Sequence, residues 1–432
     1  MATDQLGSCR PAKARALIFP FSCMFSPWLC AQLGAREHYA VPRALNQSDK
    51  LEALFTDAWV NPGSAWGALN HNLRTRFHPD LAAASVTSWN ASLLAFELTA
   101  RTKKQSGWPL IMKRNRWFQQ RVVNALSSLQ IKTSSSPVLF AYSYAALEML
   151  RFARKKGWRT VLGQIDPGPV EERLVGKLHQ QNAGTTSQWA PAPEEYWRLW
   201  REECALADHI VVNSEWSRAA LIEEGMTGEK ITVIPLAFDQ PAEAAGFKRS
   251  YPTAFTKERP LRVLFLGQVN LRKGMAEVME AMRRLQDSPI EFWIVGPAQM
   301  EIPRDLRNHP RARWTGAVPR DDAANYYRQA DVFLFPTHSD GFGLTQLEAQ
   351  AWKLPIIASR FCGEVVEDGR NGWLLPEVSV EAISTRLAEC ARRSELLVAA
   401  AAESAVAPQF TLESVGASFS RIMNADVARE KN

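Results

Sequence analysis

The chain has 432 residues, of which 46% are hydrophobic and 22% are charged, and its formal net charge is +6. This length suits two compact domains, and the composition is that of a globular protein rather than a disordered or fibrous one. The basic excess fits anionic partners, such as a nucleotide diphosphate or an anionic lipid surface, but a mildly basic solvated surface explains it equally well.

Six cysteines are scattered along the chain. They form no CxxC pair, and no group of Cys and His has the spacing of a zinc site, so the sequence predicts no metal site. Scattered single cysteines in a chain of this length indicate a reducing compartment, and we therefore expect a cytoplasmic protein.

Residues 17–35 carry no charge. Pro20 and Pro27 interrupt this stretch, which argues against a continuous membrane helix. We expect a buried first strand at about residues 16–21, followed by a helix packed on the sheet, and a targeting segment is the alternative.

Short apolar runs alternate with helical patterns along most of the chain, which predicts parallel sheets covered by helices. The predicted strands lie at residues 138–142, 160–165, 209–213, 231–235, 261–267, 290–296, 312–316, 331–336 and 355–359. Residues 61–136 show only weak periodicity, and we expect helices and loops of the first domain there.

The predicted elements divide into two α/β domains. The N-terminal domain comprises residues 1–240, and the C-terminal domain comprises residues 261–415. Residues 241–260 are polar and contain several prolines, which is typical of a linker. We expect residues 416–432 to form a C-terminal helix or tail. One arrangement open to this segment is packing against the first domain.

The stretch from Pro336 to Glu348 reads PTHSDGFGLTQLE and joins a predicted strand to a predicted helix. Gly341 and Gly343 let the backbone approach a ligand, and the amides of Leu344 and Thr345 would lie unpaired at the start of the helix. A loop of this kind at the carboxyl end of a parallel strand is typical of an anion-binding site.

Asp340 and Glu348 have seven residues between them. The two carboxylates therefore lie at different depths of one cleft and can bind different hydroxyls of an extended ligand. They are poorly arranged to act as an acid/base pair across one bond, as a glycoside hydrolase requires.

This stretch resembles the donor-site signature of the family-four retaining glycosyltransferases. That family has the GT-B fold, in which two Rossmann-like domains turn their parallel sheets toward an interdomain cleft. Its signature carries two glutamates separated by seven residues; here the first is Asp340, one methylene shorter, and the second is Glu348. The resemblance implies that Glu348 binds the ribose of a nucleotide-sugar donor and that Asp340 contacts the donor sugar. The donor-binding residues that it implies between them are Gly341, Phe342, Gly343, Leu344 and Thr345.

The segment from Gly267 to Gly274, GQVNLRKG, resembles the family's loop in which a basic pair neutralises the departing diphosphate. Lys273 stands at the lysine position, whereas Gln268 stands where the family has arginine. Whether Arg272 supplies the missing charge stays open. The segment from Gly316 to Pro319, GAVP, is similar to the loop that reads the nucleobase in this family. The resemblance therefore implies that Val318 lies in the donor site. The resemblance covers about residues 261–390.

The first half resembles the family less closely. Residues 19–22, Phe-Pro-Phe-Ser, stand where many members carry a glycine pair, and the histidine often found at the end of the fourth strand is missing. Gln164 and Asp166 occupy that neighbourhood. Asp166 is a candidate acceptor-side or active-site carboxylate, and the alternative is an aspartate that caps a turn before Pro167.

The sequence thus predicts a glycosyltransferase of hexosyl type with Lys273, Asp340 and Asp166 as candidate catalytic residues. The resemblance implies retention at the anomeric carbon and no metal requirement. The nucleotide sugar is a co-substrate and no cofactor is expected; the acceptor is a glycan, a lipid-linked molecule or a small molecule. Peripheral contact with the inner face of a membrane is an open alternative, and no nucleic acid is expected as a partner. The second hypothesis is a non-catalytic sugar-nucleotide or glycan-binding protein on the same fold, because Gln268 removes one charge.

Overall fold

The computed structural model describes residues 26–131, 135–184 and 189–429, apart from positions 65, 67–72 and 74. The strand expected at residues 16–21 therefore lies outside the described residues. The four cysteines within the described ranges are buried and carry free thiols: Cys30, Cys204, Cys362 and Cys390.

Seven parallel strands form the sheet of the N-terminal domain in the order β3-β2-β1-β4-β5-β6-β7. They are β1 (Trp28–Gln32), β2 (Leu51–Thr56), β3 (Val86–Ser88), β4 (Val138–Tyr142), β5 (Arg159–Gly163), β6 (His209–Val212) and β7 (Ile231–Val233). Alternate residues of β1 enter different apolar clusters: Leu29 and Ala31 face one, and Trp28 and Cys30 face the other. Both faces of the sheet are thus covered, which explains the continuous apolar runs of its central strands.

Helices cover the two faces of this sheet. The described ones are α1 (Ala40–Gln47), α2 (Asn90–Thr102), α3 (Gly107–Ser128), α4 (Leu147–Lys155), α5 (Pro169–Gln181), α6 (Glu194–Leu206) and α7 (Glu215–Glu223). Helix α7 begins where the Ser214 side chain accepts a hydrogen bond from the amide of Ser217, as expected for an N-cap serine.

Six parallel strands form the sheet of the C-terminal domain in the order β10-β9-β8-β11-β12-β13. They are β8 (Leu261–Leu266), β9 (Ile290–Val295), β10 (Ala312–Gly316), β11 (Val332–Phe335), β12 (Ile356–Ala358) and β13 (Gly372–Leu374). The helices of this domain are α8 (Met275–Arg284), α9 (Arg304–Arg307), α10 (Arg320–Gln329), α11 (Thr345–Ala351), α12 (Val380–Arg392) and α13 (Ser394–Glu403).

The last helix, α14 (Leu412–Arg429), returns to the N-terminal domain. The ring of Phe419 lies edge to face with Trp28, at 5.7 Å between centroids, and with Phe140, at 5.5 Å. Gly416 lies so close to α1 that an added Cβ would be 3.0 Å from the carbonyl oxygen of Ala44. Helix α14 therefore packs on the N-terminal domain.

The nine strands predicted between residues 138 and 359 are confirmed, with ends shifted by no more than two residues. The helix expected after residue 21 is wrong over residues 28–32, which form β1 and pair with β2 and β4. A short apolar run has no periodicity that separates a buried strand from a buried helix. The strands β2, β3 and β13 were not among the predicted ranges.

We expect Gly274→Ala to destabilise the C-terminal domain more than a matched glycine substitution elsewhere. Gly274 has φ +73°, and an added Cβ would lie 2.1 Å from the carbonyl oxygen of Pro336. Gly157 has a similar φ of +69° and no heavy atom within 4 Å of an added Cβ. Both variants incur the cost of a left-handed residue, roughly 1–2 kcal/mol, but only Gly274→Ala also displaces a neighbour, at about 1–3 kcal/mol more. Thermal unfolding measures both; equal losses of Tm would contradict the close approach.

Candidate active site in the interdomain cleft

Each sheet has one point at which the strand order reverses direction, between β1 and β4 in the first domain and between β8 and β11 in the second. Loops diverge at such a point and leave a crevice beyond the carboxyl ends of the strands, where ligands bind in open α/β sheets. Two glycine-containing loops, residues 267–274 after β8 and residues 336–344 after β11, lie at the crevice of the C-terminal sheet.

The loop after β11 meets the N-terminal domain directly. An added Cβ on Gly341 would lie 2.1 Å from the carbonyl oxygen of Ile165 and 3.3 Å from the Cα of Asp166. The hydroxyl of Ser339 donates a hydrogen bond to Glu171 Oε2 at 2.7 Å. Glycine at position 341 is therefore what allows the two domains to approach this closely.

Four side chains form a group that we name the cleft charge cluster: Lys273, Arg272, Asp340 and Glu171. Lys273 makes an ion pair with Asp340. Arg272 donates to the carbonyl oxygen of Ser339 at 2.7 Å, and its Nη1 lies 3.4 Å from Glu171 Oε2 and 4.0 Å from Asp340 Oδ2. Two cations of the C-terminal domain thus face one carboxylate from each domain.

The environment shifts the two carboxylates in opposite directions. Burial raises the pKa of Asp340, but the charges of Lys273 and Arg272 outweigh it, so this pKa lies below its ordinary value. Burial raises the pKa of Glu171 to about 7. Arg272 opposes that shift, yet burial and the neighbouring carboxylates of Asp166 and Asp340 outweigh one guanidinium. The carboxylate of Asp340 is therefore ionised at neutral pH, whereas Glu171 titrates near pH 7.

A cavity of about 470 Å³ opens beside the cleft charge cluster. Helices α3, α5 and α6 line it on the N-terminal side, and residues 270–272 with Gln299 line it on the C-terminal side. Arg272, Glu171 and Asp166 all reach this cavity. Because it is bounded by both domains, it can hold a molecule that reacts with a ligand bound at the cluster.

Asp166 lies in the wall of this cavity. Its Oδ1 accepts hydrogen bonds from the Gly168 amide at 2.9 Å, from Gln164 Nε2 at 3.1 Å and from the hydroxyl of Tyr144. Within the described part of the chain, no donor is bonded to Oδ2. Burial raises the pKa of Asp166, although the hydrogen bonds from Tyr144 and Gly168 oppose this. One carboxylate oxygen is therefore fixed, and the other is available to a ligand.

Tyr144, whose hydroxyl donates a hydrogen bond to Asp166, has a strained backbone conformation with φ +73°. The conformation is fixed on both sides, because the Tyr144 amide donates to Glu203 at 2.6 Å and its carbonyl accepts from Asn115 at 2.9 Å. Strained residues that are held in this way cluster at functional sites. Burial raises the pKa of Glu203 to about 7, although three backbone amides donate to its carboxylate.

Glu348, Gln268 and Val318 were also predicted to bind the donor. Glu348 is half-buried on α11, and its Oε2 accepts from the hydroxyl of Tyr327 at 2.8 Å. Gln268 is exposed, with Oε1 3.5 Å from Asn270 Nδ2. Val318 is half-buried and packs on the apolar core of the domain.

The glycine loop itself is shaped by aromatic rings. Phe342 is buried, and an added Cβ on Gly363 would lie 2.3 Å from its ring. Gly343 has φ +84° and lies against the ring of Phe335. Gly267 follows β8 and donates to the carbonyl of Val295 at 2.9 Å. Among the hydrogen bonds of the described residues, none uses the amide of the two residues at the start of α11, Leu344 and Thr345.

Two residues of this site, Glu171 and Tyr144, were not found by sequence reasoning. Glu171 stands in the first turn of α5, five residues after Asp166, and an acidic first turn next to a candidate carboxylate was the available signal. The positive φ of Tyr144 leaves no mark in the sequence.

The described residues contain no group of three or more His, Cys, Asp and Glu side chains that could hold a metal ion. As for membrane spans, no helix within the described ranges combines the necessary length and apolar character. The cytoplasmic location and the peripheral membrane contact stay predictions.

We expect the stability contribution of Glu171 to fall as the pH rises. Its folded-state pKa of about 7 lies above the ordinary value of 4.5, so the folded protein holds a proton that the unfolded chain releases within this window. Between pH 4.5 and 7, the free energy of unfolding of the wild type should therefore fall by on the order of 3 kcal/mol relative to that of Glu171→Gln. Thermal melts of both proteins across this range measure the difference, with Glu280→Gln, an exposed glutamate on α8, as the control for loss of one carboxylate. A difference independent of pH would contradict the burial of Glu171 in the cleft.

The family model described as glycosyl transferases group 1 matches residues 260–393. The D-inositol 3-phosphate glycosyltransferase of Kribbella flavida is 29% identical over 244 residues, which are 50% of this chain and 57% of that protein. The amylovoran biosynthesis glycosyltransferase of Erwinia amylovora is 28% identical over 39% of this chain and 43% of its own length. The chain thus spans about half the length of these curated relatives.

Solved structures resemble the whole described fold at low sequence identity. The structure of Anabaena HepE in complex with UDP and glucose covers 93% of this chain and 100% of its own, with 14% identity and a TM-score of 0.58. Sucrose-phosphate synthase from Thermosynechococcus elongatus covers 94% of this chain and 100% of its own, with 16% identity and a TM-score of 0.56. Likeness at this identity bears on the fold alone. The protein therefore has the GT-B fold, and its residues 260–393 match the family model of glycosyl transferases group 1.

Proposed function

We propose that the chain is a glycosyltransferase that moves a hexosyl group from a nucleotide-sugar donor to an acceptor hydroxyl, with retention at the anomeric carbon and without a metal ion. The observation that carries the proposal is a pair of cations in the cleft, the buried Lys273 and the half-buried Arg272, at the point where the C-terminal sheet reverses its strand order. The family match over the same domain supports it, as does the Asp340 and Glu348 signature.

The diphosphate of the donor would lie against Lys273 and Arg272. Their positive charge stabilises the negative charge that develops on the phosphate oxygens as the bond to the anomeric carbon breaks. These groups supply the charge that a metal ion supplies elsewhere, so we expect transfer to persist in EDTA. Glu348, half-buried on α11, would bind the ribose, and Asp340 would contact the donor sugar.

The acceptor would enter from the cavity on the other side of the cluster. Its hydroxyl can donate to the open Oδ2 of Asp166, whose position is fixed by Tyr144 and Gly168. This contact orients the hydroxyl toward the donor and stabilises the positive charge that it acquires in attack. The new bond forms at the anomeric carbon, the bond to the phosphate oxygen breaks, and the proton passes from the acceptor to a basic oxygen at the site.

The second candidate, a binding protein without catalysis, is favoured by one observation. Gln268 is exposed and neutral where the related loop carries arginine, so the site has one cation fewer. Turnover of a nucleotide sugar by the purified protein, with UDP-glucose as the first donor tested, separates the two functions.

We expect Lys273→Ala to lower kcat/KM for the donor roughly ten- to hundredfold. A hydrogen bond to a charged group contributes about 1.5–3 kcal/mol, and about 1.4 kcal/mol corresponds to a factor of ten. Arg272→Ala should cost about as much, because the guanidinium faces the cleft and its removal leaves Glu171 and Asp340 with less compensation. Steady-state kinetics with varied donor measures both losses.

Lys257→Ala is the matched control, since this lysine is exposed in the segment between the domains. It should leave kcat/KM unchanged. If Lys273→Ala keeps full activity while the protein turns over donor, the diphosphate is bound elsewhere and the proposed site is wrong.

A further inference from the structure

We propose that the 470 Å³ cavity binds an uncharged saccharide as the acceptor, held by stacking on an aromatic wall and by hydrogen bonds from its hydroxyls to carboxylates. This inference rests on the proposed transferase function and adds the chemical class of the second substrate. The volume falls within the range of about 300–1,000 Å³ that is usual for small-molecule sites.

The aromatic wall consists of Tyr144, Tyr196, Trp108 and Trp189, and all four line the cavity. Tyr144 and Tyr196 are stacked with centroids 5.0 Å apart, and Trp108 lies 4.8 Å from Tyr196. The indole N–H of Trp108 donates to the carbonyl of Ala190 at 3.0 Å, which fixes the wall beside Trp189.

Trp189 offers an open ring surface in this wall. One of its faces is stacked on His179, with centroids 4.9 Å apart and 15° between the planes, and 37% of the residue is exposed. A flat apolar ring that is held in place and partly exposed can cover the C–H face of a sugar ring at little entropic cost.

The polar groups of the cavity favour hydroxyls over phosphates. Asp166 contributes its open Oδ2, and Glu171 lies beside it. Glu172 also lines the cavity, but the Ala192 amide and the Trp197 indole donate to its two oxygens, so it serves to hold the wall. Carboxylates are strong acceptors for sugar hydroxyls and repel a second anion.

The positively chargeable groups that line this cavity do not offset that repulsion. Arg272 contacts the carbonyl of Ser339 and Glu171, and in the proposed reaction its remaining charge is directed to the diphosphate of the donor. Burial lowers the pKa of His179, which leaves its imidazole neutral at pH 7. With Arg272 directed to the donor, a phosphorylated or carboxylated acceptor would therefore meet the carboxylate of Asp166 and, at pH values above about 7, that of Glu171 as well.

The test uses the full chain with saturating UDP. Saturation-transfer NMR is recorded with methyl glycosides of neutral hexoses, with neutral disaccharides and with the matching hexose 6-phosphates. We expect saturation transfer to the neutral sugars and affinities for the phosphates at least about tenfold weaker. UDP binding is measured separately by calorimetry.

Two variants connect the signal to the cavity. Trp189→Ala should weaken binding of the neutral sugars at least about fivefold, whereas Ile222→Ala, which removes a comparably exposed apolar residue outside the cavity, should not. Glu171→Gln should narrow the difference between a hexose and its 6-phosphate, because it removes one repelling charge and keeps the size of the side chain.

The outcomes separate the two proposals. Preferential binding of the hexose phosphates overturns the inference, and so does UDP binding without binding of any neutral sugar. Neutral-sugar binding that Trp189→Ala leaves intact also overturns it. If the calorimetry shows no binding of UDP or of any other nucleotide diphosphate, the proposed transferase function fails, whereas saccharide binding lost in Trp189→Ala would still place a sugar in this cavity.

Discussion

The ion pair between Lys273 and Asp340 is the interaction on which the rest of the cleft depends. Lys273 is only 9% exposed, and its ammonium lies 4.9 Å from the centroid of the Phe335 ring. A buried ammonium needs a counter-charge, and Asp340 supplies it, with its pKa held below the ordinary value. In the proposed reaction the diphosphate brings a second negative group to the same lysine. Donor binding would therefore redistribute a positive charge that Asp340 already compensates.

This cluster exists only where the two domains touch. The loop after β11 carries Asp340 and also receives contacts from the N-terminal domain. The indole of Trp216 donates to the hydroxyl of Ser339 in this loop at 3.0 Å, and the amide of Glu215 donates to Glu364, which follows β12, at 3.0 Å. Gly341 in the same loop approaches Ile165 and Asp166 and has no side chain that would hold the domains apart. The loop that resembles a donor-binding signature is thus also part of the domain interface, so the geometry of the site depends on the contact between the two domains.

The second domain was more predictable than the first because its strands and glycine loops follow one another in regular order. All five of its predicted strands are present, and the residues of the loops after β8 and β11 lie at one crevice. In the first domain, β1 was misplaced because the apolar run at residues 28–32 has no helical or strand periodicity of its own. The partners across the cleft were also beyond sequence reasoning. Contact between Glu171 and Arg272 joins residues 101 positions apart, and it arises from domain packing rather than from any local pattern.

The most direct test of this account compares UDP with UMP. If Lys273 binds the second phosphate, calorimetry should show that wild type binds UDP roughly ten- to hundredfold more tightly than UMP. Lys273→Ala should remove most of that difference and leave the affinity for UMP unchanged, because the proposed site binds the nucleoside through other residues. A UDP preference that survives Lys273→Ala undiminished would contradict the account, since the diphosphate would then lie away from the Lys273 and Asp340 pair.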